Sequence, residues 1–163
     1  MTEAGWQRPD DRPCKKGTRG ACIVVSTVKY EVSQRLGPLE KPPITKTQLV
    51  MYSGASGDFN PIHTVEEFAQ QAGLGGVIAH GMLTMAFVGQ MLTDILGVDG
   101  DLHKFGVRFA GMVRPGDVIT CEGEVKEVRE ENGRQIVTAD IWAATQKQEK
   151  VVVGEAVFSV PAA

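Results

Sequence analysis

The stretch GMLTMAFVGQMLTDIL, residues 81–96, decides the architecture. It opens on a glycine and contains no proline. It sets Met82, Leu83, Met85, Ala86, Phe87, Val88, Met91, Leu92, Ile95 and Leu96 on nearly every side of a helix. A helix that is apolar all round is predicted to be buried. The methionines are read as core rather than as a cofactor box. Val77-Ile78-Ala79 leads into the helix, and Gly97 and Gly100 close it.

Downstream the texture changes. Residues 103–113 read as a strand, and Arg114-Pro115-Gly116-Asp117 as a turn. Residues 118–130 alternate, with Ile119, Cys121, Gly123, Val125 and Glu127 on one parity and Thr120, Glu122, Glu124 and Lys126 on the other. Glu131-Asn132-Gly133 is a hairpin signal. Residues 135–145 and 150–160 supply two further strands. One long buried helix followed by a run of antiparallel strands is an α+β pattern. It predicts a single hot-dog fold: a strongly twisted antiparallel sheet wrapped around one long central helix.

Upstream of the helix the signals are shorter. Thr45 is placed to cap a helix, with Gln48 in capping-box register. Leu49, Val50 and Tyr52 continue that helix, and Ser53-Gly54-Ala55-Ser56-Gly57 is expected to break it. Asn60-Pro61 marks a turn, and Thr64 is placed to cap a short helix over 65–72. Pro38, Pro42 and Pro43 read as a loop. Residues 1–28 read as a polar N-terminal extension, expected to be mobile, ahead of a folded domain over 29–163. Within it, 21–28 is compatible with an edge strand or with part of the tail. There are no internal repeats.

Composition narrows the function classes. The 163 residues carry 17 basic and 20 acidic side chains, a net charge of −3, so no basic face for nucleic acid is expected. Cys14, Cys22 and Cys121 form no C-x-x-C pair, which argues against a disulfide framework or zinc site and fits a reducing cytoplasm. No apolar run approaches membrane-spanning length. Acidic residues and prolines near the start argue against a signal or transit peptide.

The candidate chemistry lies at Asp58 and His63, joined by a turn in which Pro61 fixes φ. A carboxylate and an imidazole facing one small pocket suit proton transfer near neutral pH. The alternative is structural: Asp58 capping a turn, Asn60 forming an Asx-turn, and His63 merely satisfied. Gly81 offers a helix N-terminal N–H unshielded by any Cβ, fit for an oxyanion; tight packing would explain the same glycine. His80 reads as an orienting or packing residue, and His103 as a bystander. His63 and His80 lack helical ligand spacing and no third ligand is evident, so no metal is expected. Arg108 and Arg114 are either phosphate partners or solvated. Met82, Met85 and Phe87 are either tunnel walls or plain core.

The runs YSGASGDFNPIH (52–63), IAHGMLTM (78–85) and FGVRFAGMVRPGD (105–117) resemble those of MaoC-like, R-specific enoyl-thioester hydratases and dehydratases, over roughly residues 43–160. The resemblance implies reversible hydration of trans-2-enoyl thioesters to (R)-3-hydroxyacyl thioesters, on a CoA or acyl-carrier-protein substrate, with no metal or redox cofactor. Asp58 and His63 would be the catalytic dyad and Gly81 N–H the thioester-polarising donor. Asn60 would order the loop; His80, Met82, Met85 and Arg108 would support the loop or line the substrate. Gly89 stands where some relatives carry a supporting serine. A homodimer is expected, with a heterodimer or higher oligomer as alternatives. The rival readings are a hot-dog acyl-thioesterase and a subunit active only with a partner chain.

Overall fold

Five strands form one antiparallel sheet in the computed structural model, which describes residues 29–162. The N-terminal extension at 1–28, including the 21–28 run, lies outside those residues. In chain order the elements are β1 (Arg35–Glu40), α1 (Lys46–Ser56), a 3-10 turn (Pro61–His63), α2 (Glu66–Gln71), α3 (Gly81–Leu96), β2 (Asp101–Phe109), β3 (Ile119–Glu131), β4 (Arg134–Thr145) and β5 (Lys150–Pro161). The strand order is β1-β3-β4-β5-β2. The sheet curls around α3, which is the predicted hot-dog arrangement.

The core is the contact between α3 and the concave sheet face. Leu83, Phe87, Val88, Met91, Leu92 and Leu96 of the helix meet Ile119, Cys121, Val125, Val137, Ile141 and Phe158 of the strands. Alternate residues of β4 point inward, as a half-buried strand requires. Several inward positions are small: Gly123, Ala139, Ala143 and Ala156. Small side chains there let a sheet close around a helix of ordinary diameter. Asn132 and Gly133, with φ of 51° and 74°, turn β3 into β4, in the left-handed conformation the Asn-Gly pair favours.

Four details differ from the sequence reading. First, β1 falls where Pro38 suggested a loop. It is an edge strand, and Pro38 lies at the register shift between Leu36 and Leu39, where no ladder donor is needed. Second, α1 runs through Gly54 to Ser56 and is closed by Gly57 at φ 74°. Burial of Leu49 and Ser53 offsets the cost of one internal glycine, about 1 kcal/mol. Third, Thr64 closes the 3-10 turn rather than capping α2, whose N-cap position is Val65. Fourth, a register shift between Val125 and Glu127 reverses the parity of β3. Glu127 is thereby exposed and Val128 packs against the core. Thr45 caps α1 as predicted, its side chain accepting from Gln48 N–H at 3.1 Å.

The central helix is not buried all round. The sheet covers one side; Met82 is 55% exposed, and Ala86 and Gln90 also face outward. Phe109, whose ring borders Gly81, and Met112 are also exposed. No helix among the described residues is long and apolar enough to cross a membrane.

Candidate active site

Three segments meet at the N-terminus of α3. The loop 58–63 is folded by its own polar groups. Asp58 Oδ1 accepts from Asn60 N–H at 3.2 Å, and Asn60 Oδ1 accepts from Ile62 N–H at 3.2 Å. His63 N–H donates to Asn60 C=O at 3.1 Å. These are successive Asx-type turns, so Asn60 orders the loop as a short-range device. The segment 77–80 is the second piece. Ile78 N–H donates to Ile62 C=O at 3.2 Å, and Ala79 N–H to Val113 C=O at 2.7 Å. The third piece is α1, which contributes Tyr52 and Ser53.

His63 is buried, and its ring is oriented at both edges. Nδ1 lies 2.8 Å from Ile78 C=O. A carbonyl only accepts, so Nδ1 carries the hydrogen. Nε2 is then the basic nitrogen, and it lies 3.8 Å from Asp58 Oδ2. That separation is too long for a direct hydrogen bond, and it leaves both atoms able to hold one water. The Asp58 side chain is half exposed while that of His63 is 9% exposed, so the carboxylate faces solvent and the imidazole lies behind it.

His80 lies under this pair. Its ring stacks on that of His63 with centroids 3.8 Å apart and planes at 25°. Its Nε2 is 3.2 Å from Asp58 C=O and 3.2 Å from Ser53 Oγ. Burial holds its pKa below the ordinary histidine value, opposed by the hydrogen bond to the Asp58 carbonyl. Ser53 and Tyr52 were not singled out from sequence. Ser53 sits in a stretch whose glycines read as a helix break, and Tyr52 read only as part of the helix before it.

Gly81 is the first residue of α3, and no side chain caps this end. The first N–H groups are therefore available to a ligand, with the helix dipole behind them. The packing reading of the glycine has direct support: a Cβ at Gly81 would lie 3.1 Å from the Phe109 ring. Gly89 lies two turns on, with its missing Cβ facing Phe105 at 3.4 Å.

The remaining candidates divide. Met82 is exposed and Met85 half-buried beside Gly81, whereas Phe87 belongs to the core. Arg108 is exposed on β2 and alternates with Phe109, which turns toward α3, so Arg108 lies on the opposite sheet face. Arg114 donates to Leu74 C=O at 2.6 Å and to Gly76 C=O at 3.4 Å, tying down the glycine loop. His103 meets Ser159 Oγ at 2.9 Å, away from the dyad.

Asp58, His63 and His80 together offer three ligand atoms within 4.8 Å of one another, so a third metal ligand does exist in space. The rings nevertheless stack almost parallel, and one nitrogen of each is spent on a carbonyl. Their in-plane lone pairs do not converge as a tetrahedral site needs.

A 3-hydroxybutyryl-CoA dehydratase of Methylorubrum extorquens is 31% identical over 122 residues, covering 74% of this chain and 76% of that protein. The structure of an (R)-hydratase from A. caviae involved in PHA biosynthesis superposes with a TM-score of 0.72 at 30% identity, covering 81% of this chain and 98% of that one. A fatty acid synthase subunit beta of Aspergillus oryzae is 40% identical over 112 residues, 65% of this chain. This chain spans only 5% of that subunit's length. The MaoC-like domain matches residues 28–147, and the chain accordingly belongs to the MaoC-like dehydratase family.

Proposed function

We propose that the chain catalyses reversible hydration of trans-2-enoyl thioesters to (R)-3-hydroxyacyl thioesters, with Asp58 and His63 as the acid/base dyad and Gly81 N–H as the oxyanion donor. The observation that carries this reading is the placement of His63 Nε2 3.8 Å from Asp58 Oδ2, beside an uncapped helix N-terminus. The acyl thioester is of CoA, the carrier in the name of the Methylorubrum extorquens relative, or of an acyl-carrier protein.

In this reading the dyad holds the attacking water. Because Ile78 C=O keeps the hydrogen on His63 Nδ1, Nε2 takes the proton as the water oxygen bonds to C3. Electron density moves to the thioester oxygen as an enolate. The Gly81 N–H and the helix dipole meet that charge; one such donor contributes about 3–4 kcal/mol. The dyad then returns a proton to C2. The same steps in reverse dehydrate the hydroxyacyl thioester. General acid/base work of this kind contributes roughly 10²–10⁴-fold. The thioester itself is the electron sink, so the steps need no redox group.

The test is to follow crotonyl-CoA absorbance with purified protein and to resolve the product's stereochemistry. Loss of the enoyl absorbance with (R)-3-hydroxybutyryl-CoA as product is the expected result. Release of free thiol without hydration, or an (S) product, would overturn the reading.

A further inference from the structure

We infer that His80 is a positioning residue for the dyad: one edge of its ring fixes the main chain of Asp58, and its face seats the imidazole of His63. This rests on the hydration reading, and it adds a role for a side chain that never touches substrate. The carbonyl of Asp58 only accepts, so the contact at 3.2 Å requires the hydrogen on His80 Nε2. Ser53 Oγ, also at 3.2 Å, shares that edge. The same ring lies flat against His63 at 3.8 Å. Asp58 and His63, which the chain joins only through the turn 59–62, are thereby referred to one rigid body. Tyr52, at 5.0 Å and 59°, packs on His80 in turn.

The far nitrogen supports the assignment. His80 Nδ1 is buried and finds no hydrogen-bond partner among the described residues. An asparagine or glutamine could make the single bond to the Asp58 carbonyl but would offer no aromatic face. A phenylalanine would offer the face without the bond. Histidine does both, at the cost of one orphaned acceptor. Protonating Nδ1 would create a buried donor with nothing to accept it. The groups facing the ring are Asp58, His63, Ser53 and Tyr52. Desolvation opposes a charge on the ring most; the Asp58 carbonyl favours it, the stacked His63 opposes it and the Asp58 carboxylate favours it, with a net depression of the pKa. With Nε2–H committed to the Asp58 carbonyl and Nδ1 buried without an acceptor, His80 is placed to keep its neutral form while His63 takes up the proton from water.

Two measurements test this on the full chain. Long-range ¹H–¹⁵N NMR of the wild type reads the tautomers without any substrate. The expected result is a single tautomer for each neutral ring, His80 as Nε2–H and His63 as Nδ1–H. In His80→Gln, which keeps the donor and loses the face, His63 is expected to become a mixture of tautomers. Crotonyl-CoA kinetics then separate positioning from binding. His80→Gln and His80→Phe are each expected to lower kcat at least ~10-fold with KM within ~3-fold, a loss made in the transition state. An Nδ1–H tautomer, an ordinary histidine titration of His80, or wild-type kcat in a folded His80→Gln variant would overturn the inference. If the wild type hydrates no enoyl thioester, the hydration reading fails instead, and the NMR result alone decides the placement of His80.

Discussion

The Asp58 carboxylate is divided between two partners: Oδ1 accepts from Asn60 N–H, and Oδ2 lies 3.8 Å from His63 Nε2. Sequence alone set a turn-capping aspartate against a catalytic one; the turn contact is present, and it leaves the second oxygen facing His63. The fixed geometry of this carboxylate makes Asp58→Asn informative, because the amide can keep the turn while losing the charge. Turnover of Asp58→Asn and of His63→Ala on crotonyl-CoA is expected to fall at least ~100-fold with the far-UV CD spectrum unchanged. Wild-type-like rates in either would remove the dyad. The contacts that orient His63 were not legible, since Ile78 is fifteen residues away and the bond closes through tertiary folding. His80 also leaves a mark on stability. Its pKa is depressed in the folded chain from 6.5, so the unfolded chain binds the extra proton as pH falls. That difference destabilises the folded state progressively below about pH 6.5 and is nil above it. Urea midpoints measured from pH 7.5 down to 5.5 are expected to fall less in His80→Gln than in the wild type.

Helix α3 was the most legible element, because sixteen residues without proline and with continuous apolar character admit few other structures. Its exposed side was not legible, since apolar composition does not say which faces a partner element reaches. The edge strand β1 was hidden by Pro38, and the parity change in β3 by a bulge that leaves no sequence mark. At the N-terminus of α3 packing and chemistry can be separated. Gly81→Ala places a methyl 3.1 Å from the Phe109 ring, which is about half exposed and free to shift. The variant is expected to fold with stability within about 1 kcal/mol of wild type, yet to lose at least ~10-fold in kcat as the first turn is displaced from the thioester oxygen. Equal kcat in a stable Gly81→Ala variant would place the oxyanion donor elsewhere.

At the scale of the whole molecule, the hot-dog arrangement followed from helix-then-strands order, but its edges did not. Both β1 and β2 are edge strands, and Phe109, beside the start of α3, and Met112 stand exposed. Unpaired edges beside an apolar surface favour self-association. Sedimentation equilibrium is expected to report twice the mass of one chain; a monomer at micromolar concentration would turn attention to a different partner chain. The strand order has one more consequence, in time rather than space. β3, β4 and β5 are sequential hairpin neighbours, whereas β1 pairs with β3 across 89 positions at Arg35–Glu124 and β2 with β5 across 58 at Asp101–Ser159. Closing those long loops comes late and slowly. In pulsed hydrogen exchange during refolding, amides of β3–β5 are therefore expected to be protected first. The loop carrying Asp58 and His63 would be ordered only after the sheet has closed around α3, so a nascent chain would gain its chemistry at the last step of folding.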